Sequence, residues 1–339
     1  MVRVAIVGLG WWGRILASTI RSQSKKLKVV RFVDLRPDRA GTFPTDFGVP
    51  MSANLGDALA DSHVDAIVLA TPHGGHAEQI SAVAAAGKHV FCEKPLGLTE
   101  ASVRSSIKIC RDAGVVLGVG HERRFEPPIR DLLRWLRSGE LGVPLQIEAN
   151  FSHDRFLSLP RDNWRLSSHE APAAGMTGPG IHLVDLAVML LGQARNVVAH
   201  ASMLASDLPT GDTLSALIQH ESKATTYLSA TLATPFISRF ALYGSKGWVE
   251  IRDKAHVESP EGWWMQRQLA SSALERTEYD PGTAVCDNLD AFGSAVEGNA
   301  AYPIGANDMI ATAAAMDAIF RSAAAHGRPV IANPLSTAP

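Results

Sequence analysis

The first third of the chain contains short apolar runs separated by longer stretches in which apolar residues recur every three or four positions. The runs are residues 4–7, 66–69, 89–92 and 115–120, and a further strand is predicted at residues 27–33, where Lys28 and Arg31 interrupt the apolar residues. Runs this short predict buried strands. The stretches between them, which carry helix-capping or helix-ending residues such as Gly87, Thr99 and Gly114, predict helices. Because strands and helices alternate, we predict a doubly wound parallel sheet.

The pattern changes near residue 123. Residues 145–152 alternate strictly between apolar and polar side chains, as a strand with one buried face does. Further strands are predicted at residues 197–205, 213–220, 224–232 and 236–243, and helices at residues 127–138, 288–296 and 308–321. We therefore predict an α/β chain whose second domain, residues 123–339, is an α+β domain with a large, mostly antiparallel open sheet.

A glycine-rich turn joins the first predicted strand to the first predicted helix. It reads GLGWWG, with glycines at Gly8, Gly10 and Gly13. In a Rossmann turn the first glycine allows the tight bend, the second lets a pyrophosphate approach and the third lets the helix pack on the strand. Asp34 follows the second strand about 20 residues later, as a ribose-binding acid does. Residues 1–122 are therefore predicted to form a Rossmann dinucleotide-binding domain.

Two further polar segments follow predicted strands of this domain. One reads Thr71-Pro72-His73, and the other begins with Glu93 and Lys94. The carboxyl ends of parallel strands lie at one edge of the sheet, where ligands of doubly wound folds bind. We therefore expect both segments to lie beside the glycine turn.

Composition and charge limit the classes of partner that the protein is expected to bind. The chain has 339 residues, and its 32 Lys and Arg against 34 Asp and Glu leave a net charge of −2, which does not attract nucleic acid or an anionic membrane. We expect a small-molecule substrate. The first strand starts at once and no apolar run has the length of a membrane span, so a cytoplasmic location is predicted.

Neither a disulfide framework nor a metal site is predicted. Cys92, Cys110 and Cys286 are an odd number of cysteines without paired spacing. His73 and His76 lie three residues apart but have no third ligand near them in the sequence.

Longer motifs carry a more specific resemblance. They are TPHGGH (residues 71–76), AAAGKHVFCEKPLGLT (84–99), GHERRFEP (120–127), HLVDLAVMLLG (182–192) and YGSKG (243–247). Together with the glycine turn and Asp34, they resemble the Gfo/Idh/MocA family of nicotinamide-dependent oxidoreductases over nearly the whole chain. The resemblance implies that the open sheet of the second domain packs against another subunit, giving a homodimer or homotetramer.

The resemblance also implies catalytic and cofactor-binding residues. Lys94 is expected between the nicotinamide ribose and a substrate hydroxyl, where its ammonium orients the oxygen and stabilises negative charge. His182 is expected to exchange the hydroxyl proton, because imidazole titrates near neutral pH. The residues assigned to the cofactor are Gly8, Gly10, Trp11, Trp12, Gly13, Asp34, Arg36, Thr71, Pro72, His73, His76, Glu93 and Lys94.

Gly178 departs from the family pattern, because an aspartate usually stands at this position, four residues before His182. Its loss removes a charged acceptor that would bind a polyol and raise the pKa of the base. A standard inositol or glucose dehydrogenase is therefore disfavoured. Glu170, His169 and Asp185 are candidates to replace the missing acid.

A long irregular segment, residues 153–180, is predicted to form a wall of the substrate site, because loops of this length in compact domains are usually functional. Candidate substrate residues are Trp164, Arg165, His169 and Glu170 from this segment, with Arg124 and Asp185 from outside it. The arginines could bind a carboxylate in bidentate fashion or could face solvent. The sequence leaves both interpretations open.

Asp34 favours NAD as the cofactor, because its carboxylate accepts from a free ribose hydroxyl and repels a 2′-phosphate. Arg36 and Arg39 argue for NADP. The predicted reaction transfers a hydride between nicotinamide and a secondary alcohol or ketone of a sugar-like or hydroxylated ring substrate. Two alternatives are an enzyme that retains NAD and uses transient oxidation to cleave a glycoside or eliminate a group, and a non-catalytic dinucleotide-binding sensor.

Overall fold

The computed structural model describes residues 1–256 and 259–332, and the chain divides into two compact units. The first contains Met1–Glu122 and Thr283–Met309, and the second contains Arg123–Gly282 and the residues from Ile310 onward. The first break falls between residues 122 and 123, and residues 123–339 are predicted as one continuous domain. The segment Thr283–Met309 differs from that prediction, because it belongs to the first unit and not to a continuous second domain.

Nine α-helices and fifteen strands form in the described residues. The helices are α1 Trp11–Gln23, α2 Phe43–Phe47, α3 Leu55–Ala60, α4 His76–Ala85, α5 Glu100–Asp112, α6 Pro127–Arg137, α7 Ile181–Leu191, α8 Ala284–Val296 and α9 Ala306–Ala324. The strands are β1 Val2–Val7, β2 Leu27–Val33, β3 Met51–Ser52, β4 Ala66–Leu69, β5 His89–Cys92, β6 Leu117–Val119, β7 Pro144–Ser152, β8 Ala194–Ser202, β9 Thr213–His220, β10 Thr225–Thr231, β11 Ile237–Gly244, β12 Gly247–Asp253, β13 Trp263–Leu269, β14 Glu275–Tyr279 and β15 Val330–Ile331.

The first unit is built on a six-stranded sheet with the order β3-β2-β1-β4-β5-β6, in which every neighbouring pair is parallel. The central strand β4 reads AIVL and is completely buried, as expected of a strand covered on both faces. The strand order reverses at β1, and ligands of such sheets bind at the carboxyl ends of the strands beside this reversal. The predicted Rossmann sheet is confirmed.

Helix α5 shows how local sequence sets element ends in this unit. The Thr99 hydroxyl oxygen accepts from the Ser102 amide at 3.2 Å and caps the helix N-terminus. After the last turn, Gly114 adopts a φ of +68°, a conformation that glycine takes without a steric penalty. Both ends therefore lie within a residue of the predicted ones.

Thr283–Met309 joins the first unit because its side chains bind β6 and fill the same core. The Asn288 side-chain amide and the Tyr302 hydroxyl each donate to the Val119 carbonyl oxygen at 2.9 Å. The Phe292 ring packs against the Phe91 ring, with centroids 5.6 Å apart. Contacts between segments so distant in sequence leave no periodic pattern, so the linear analysis placed this segment in the second domain.

The second unit is built on a nine-stranded sheet with the order β14-β13-β12-β11-β7-β10-β9-β8-β15. Its neighbours are antiparallel except for β7 and β10, which pair in parallel, so the predicted mostly antiparallel sheet is confirmed. Strands β12, β13, β14 and β15 of this sheet were not predicted. Strand β14 reads ERTEY and is exposed at nearly every residue, so it lacks the alternation that identifies a half-buried strand.

One face of this sheet covers the core of the second unit. Strand β7 turns Ile147, Ala149 and Phe151 inward, as its alternation predicts, and they join a cluster with most of α7. On other strands of the sheet Leu217 and Tyr227 are 37% and 49% exposed. The sheet thus holds α7, which carries His182, against its inner face.

Candidate cofactor and substrate site

The glycine turn after β1 combines two tight contacts with one open position. Gly8 has a φ of +93°, and a Cβ there would lie 2.6 Å from the Ala70 carbonyl oxygen. A Cβ on Gly13 would collide with the Gly8 carbonyl oxygen, whereas a Cβ on Gly10 would meet nothing within 4 Å. Packing therefore requires glycine at the first and third positions. At Gly10 the open space is what a pyrophosphate needs to approach the backbone.

The N-terminus of α1 is suited to bind an anion. Gly10 is the N-cap residue and no side chain caps the helix, so the amides of its first turn keep their hydrogen-bonding capacity. A 13-residue helix also directs the positive end of its dipole toward this point. Trp11, 46% exposed, and Trp12 flank the turn, with ring centroids 5.2 Å apart. These features fit the phosphates of a dinucleotide.

Asp34 is fixed at the carboxyl end of β2 by backbone donors. Its two carboxylate oxygens accept from the Leu9 amide at 2.7 Å and from the Arg36 amide at 2.8 Å. Each oxygen keeps a second lone pair that can accept a ribose hydroxyl. The side chain of Arg36 is exposed. The carboxylate acceptors at this strand end therefore fit a ribose with free hydroxyls.

His76 connects the segments that follow β4 and β5. Its Nδ1 lies 2.8 Å from the Pro95 carbonyl oxygen and its Nε2 lies 3.1 Å from that of Thr71. The ring is fully buried, and the Lys94–Pro95 peptide bond is cis. His76 thus acts as a positioning residue for the turn that carries Lys94. The His73 ring lies 6.0 Å from it.

Lys94 follows a buried carboxyl group. Burial, and then the charge of Glu122, raise the pKa of Glu93 to about 7, against smaller opposing effects of Trp12 and Lys94. A Cβ on Gly120 would lie 2.5 Å from a carboxylate oxygen of Glu93, so the acid packs directly on the backbone after β6. Lys94 itself is half-buried. A buried, titratable carboxyl group therefore lies next to Lys94 in the chain.

In the second unit, His182 lies in the first turn of α7 and is only 5% exposed. Its ring faces that of Phe151, with centroids 6.2 Å apart. His153 and His256, also buried, surround the same ring at 6.2 Å and 5.7 Å. Sequence reasoning did not single out Phe151 or these two histidines. The inward series of β7, extended by two residues beyond Phe151, would have found His153.

A buried charge network lies beside His182 in the chain. The Arg124 guanidinium donates to both carboxylate oxygens of Asp185, at 2.8 Å and 2.7 Å, and the Thr312 hydroxyl donates to one of them at 3.1 Å. Asp185 is 1% exposed. This bidentate geometry commits the acid to anchoring Arg124. Its use as a substitute for an acid at position 178 stays a prediction.

Gly178 lies in a π-helical turn, Met176–Gly180, directly before α7. A Cβ on Gly178 would make only ordinary contact with the Phe156 ring, at 3.4 Å. The glycine is therefore not required by packing. Its effect is chemical, because no side-chain acceptor stands one turn before His182.

The four loop residues that were predicted to bind substrate differ in exposure. His169 and Glu170 lie 3.9 Å apart, with side chains 86% and 22% exposed. Trp164 and Arg165 form a short helical turn, with the guanidinium carbon 4.2 Å from the ring centroid. The first unit thus brings together the predicted cofactor residues, and the second holds His182, the Arg124–Asp185 pair and this turn.

None of the helices in the described part of the chain is long and apolar enough to cross a bilayer. Over the same residues, no three His, Cys, Asp or Glu side chains are grouped so that they could hold a metal ion.

Comparison with protein families gives two matches. Residues 2–121 match a model described as an oxidoreductase family with an NAD-binding Rossmann fold, GFO_IDH_MocA. Residues 129–250 match the GFO/IDH/MocA C-terminal domain.

Curated proteins and solved structures agree with these matches. The inositol 2-dehydrogenase of Rhizobium meliloti is 28% identical over 333 residues, covering 95% of this chain and 97% of its own. The 1,5-anhydro-D-fructose reductase of Ensifer adhaerens is 27% identical over 300 residues, 85% of this chain and 88% of its own. An aldose-aldose oxidoreductase from Caulobacter crescentus, complexed with glycerol, shares the fold with a TM-score of 0.86 and 24% identity, covering 97% of this chain and 99% of its own. A levoglucosan dehydrogenase in complex with NADH and levoglucosan has a TM-score of 0.83 and 21% identity, covering 98% of this chain and 100% of its own.

Proposed function

Because this chain belongs to the Gfo/Idh/MocA family and is an NAD(P)-dependent oxidoreductase, we propose that it acts on a secondary alcohol or ketone of a sugar-like or hydroxylated ring compound. The observation that carries the proposal is the edge of the first sheet. There the glycine turn follows β1, Asp34 follows β2 and Lys94 follows β5. A dinucleotide site and a half-buried ammonium therefore share the ligand-binding edge of one parallel sheet.

The residues of the chain divide the work as follows. The amides of α1 and the open position at Gly10 bind the pyrophosphate, and Asp34 accepts from the ribose. When bound, the nicotinamide takes up or donates the hydride. Lys94 orients the reacting oxygen and stabilises its negative charge. His182 exchanges the hydroxyl proton.

NAD is the proposed preferred cofactor. The Asp34 carboxylate, held by the Leu9 and Arg36 amides, presents negative charge where a 2′-phosphate would have to lie. The exposed Arg36 side chain provides the opposing attraction. Two backbone hydrogen bonds fix the acid, whereas the Arg36 side chain is exposed to solvent.

The names of the relatives support the substrate class. The two curated proteins described above act, by name, on an inositol and on an anhydrofructose. Both compounds carry several hydroxyl groups on one ring. The proposal for this chain is correspondingly a polyhydroxylated substrate.

A labelled substrate tests the reaction type. Purified enzyme with NAD is screened against polyols, sugars, sugar acids and cyclic diols, and nicotinamide absorbance is followed. For a compound that reacts, deuterium at the carbinol carbon should move to C4 of the nicotinamide, as detected by mass spectrometry. Turnover without net absorbance change would contradict the proposal and favour the NAD-retaining lyase or glycosidase. Cofactor binding without any turnover would favour the sensor.

We also propose assembly through the large sheet, as a homodimer or homotetramer. Leu217 and Tyr227 leave apolar surface exposed on neighbouring strands of that sheet, and unpaired apolar patches of this kind commonly mark interfaces. Light scattering should give the mass of a multiple of the chain. Tyr227→Lys should lower that mass, and a monomeric wild type would contradict the assembly.

A further inference from the structure

Arg165 differs from the other buried or half-buried arginines of the second unit. Arg123 pairs with Asp253 and Glu126, and Arg124 pairs with Asp185. Within residues 1–256 and 259–332, by contrast, the Arg165 guanidinium has no acidic partner and no hydrogen-bond acceptor. Burial lowers the pKa of Arg165, which reports that the charge is partly desolvated. A desolvated cation is unfavourable unless an anion accompanies it.

The guanidinium is held in place although it has no acidic partner. Its carbon lies 4.2 Å from the centroid of the Trp164 ring, so a cation–π contact holds the guanidinium over the ring. The Arg165 amide donates to the Asn163 side-chain oxygen at 3.0 Å, and the next residue, Leu166, is buried. A rigid, oriented guanidinium presents its donors as a fork that matches a carboxylate.

One small apolar cluster ties this turn to the segment before His182. Leu166 packs with Leu208 and Leu232, and Phe156 lies against the same cluster. Phe156 is also the residue that a Cβ on Gly178 would contact, at 3.4 Å. The Trp164–Arg165 turn is therefore anchored to the same small group of residues as the turn that precedes α7.

The histidine cluster continues from the same residue. The Phe156 ring lies 4.9 Å from the His153 ring, which in turn faces Phe151 beside His182. Position 178 contributes no carboxylate that could neutralise a cation in this neighbourhood. Glycine at position 178 thus adds no negative charge beside the Phe156 ring.

We propose that Arg165, stacked on Trp164, binds a carboxylate of the substrate, so that the enzyme acts on a polyhydroxylated acid in preference to the neutral sugar or polyol of the same configuration. The inference rests on the proposed function and narrows its substrate class. Two parallel N–H···O bonds from Arg165 would hold the carboxylate. The hydroxylated carbons of the same molecule would remain available for oxidation.

Matched acid and neutral compounds test this inference. The probes are D-glucuronate with D-glucose, D-galacturonate with D-galactose, and D-gluconate with D-glucitol. In wild type, kcat/KM should be about 10- to 100-fold higher for at least one acid than for its neutral partner, the range expected for a charge-assisted bidentate contact. Equal values, or a preference for the neutral member of every pair, would overturn the inference.

Variants separate Arg165 from general effects of loop charge. Arg165→Gln should raise KM for the preferred acid by about 10- to 100-fold and change kcat/KM for its neutral partner less than about threefold. Arg165→Lys, which keeps the charge without the fork, should recover only part of the loss. Arg161→Gln is the matched control, since Arg161 is exposed in the same loop and pairs with Asp207. An equal loss in the Arg161 and Arg165 variants would overturn the assignment.

A binding measurement distinguishes failure of this inference from failure of the proposed function. Isothermal titration of the NADH-loaded protein with each acid does not require turnover. Binding that is lost in Arg165→Gln and kept in Arg161→Gln supports the carboxylate site even if no compound is oxidised. If no acid binds more tightly than its neutral partner, the inference is overturned whether or not hydride transfer occurs.

Discussion

The two units hold their chemistry in different ways. At the edge of the first sheet, backbone groups position the polar side chains. The Leu9 and Arg36 amides donate to Asp34, and the ring nitrogens of His76 lie within hydrogen-bond distance of two backbone carbonyl oxygens. In the second unit, side chains hold one another. The Arg124 guanidinium donates to both carboxylate oxygens of Asp185, and three buried histidines surround the Phe151 ring.

The difference separates a general function from a specific one. A turn made by backbone amides and glycines binds the pyrophosphate of any dinucleotide, because it reads no more than phosphate charge and shape. A site made by buried charged side chains depends on every partner, since one missing countercharge leaves an uncompensated ion. We therefore expect the turn after β1 to set the class of cofactor, and a few positions of the second unit, such as 165 and 178, to set the class of substrate.

Turnover should depend more on His182 than on any other residue of the second unit. His182→Ala should lower kcat by about 10⁴-fold, because the hydroxyl proton loses its acceptor. The dissociation constant for NAD, measured by fluorescence titration, should change little, since the cofactor residues lie in the first unit. A parallel loss of NAD affinity and turnover would show that the histidine is structural.

The stability of the fold should depend strongly on the buried Arg124–Asp185 ion pair. Asp185→Asn leaves the Arg124 guanidinium without its countercharge and should lower the free energy of unfolding by about 3 to 5 kcal/mol. Asp207→Asn, which breaks the exposed pair with Arg161, should cost less than about 1 kcal/mol. Urea denaturation measures both. Similar losses for the two variants would remove the contrast between buried and exposed pairs.

Two glycines of the same turn should behave differently. Gly13→Ala forces a Cβ into the Gly8 carbonyl oxygen and should destabilise the fold by about 1 to 3 kcal/mol. Gly10→Ala meets no atom and should leave the melting temperature unchanged, while it weakens NAD binding about tenfold by occupying the space of the pyrophosphate. Unchanged NAD affinity in Gly10→Ala would place the pyrophosphate elsewhere.

Glu93 should give the first unit a pH dependence. Its pKa of about 7 lies above the ordinary value of 4.5, so the folded state binds the proton more tightly than the unfolded state. The free energy of unfolding should therefore fall as pH rises from about 4.5 to about 7 and stay level above. Glu93→Gln should remove this fall, and its free energy of unfolding should exceed that of wild type by about 3 kcal/mol at high pH.

The matched control for Glu93 is Glu78→Gln, because Glu78 is exposed on α4. Its denaturation curves between pH 4 and pH 8 should follow those of wild type. A Glu93→Gln variant that also follows wild type would show that the buried carboxyl group is ionised at little cost.

The smallest expected effect is on cofactor choice. Asp34→Ser removes the negative charge that opposes a 2′-phosphate and should shift the ratio of kcat/KM for NAD over NADP toward NADP by about tenfold. Asp38→Ser, at an exposed position of the following turn, should leave the ratio unchanged. An unchanged ratio in Asp34→Ser would mean that Arg36 decides the preference.

Most strands of the first unit could be predicted from the sequence alone. Mostly apolar stretches identified β1, β2, β4 and β5, and capping residues identified both ends of α5, because these features depend on neighbours within one turn or one strand. The Gly8–Gly13 turn could be recognised for the same reason. Strand β14, at the edge of the second sheet, was missed because its residues are polar and exposed and carry no such local pattern. Strands β12 and β13 were also missed, although both turn buried apolar residues inward.

The site in the second unit was reached only in part. His182 and Arg165 were named as candidates, yet nothing in the sequence distinguished Arg165 from the arginines beside it. His153 and His256 were not singled out, since they come together around Phe151 from segments about a hundred residues apart. Which charge is paired depends on distances between segments that periodicity does not encode.

The parallel sheet, the dinucleotide turn and the positions of Asp34 and Lys94 at strand ends could all be predicted from the sequence. Each of these features depends on backbone conformation and strand burial, which follow from local residue types. Only the tertiary structure decided that Thr283–Met309 completes the first core, that Asp185 serves Arg124, and that Arg165 is oriented on Trp164 without an acid among the described residues. These outcomes depend on long-range packing and desolvation, which set the cost of a charge only after the chain has folded around it.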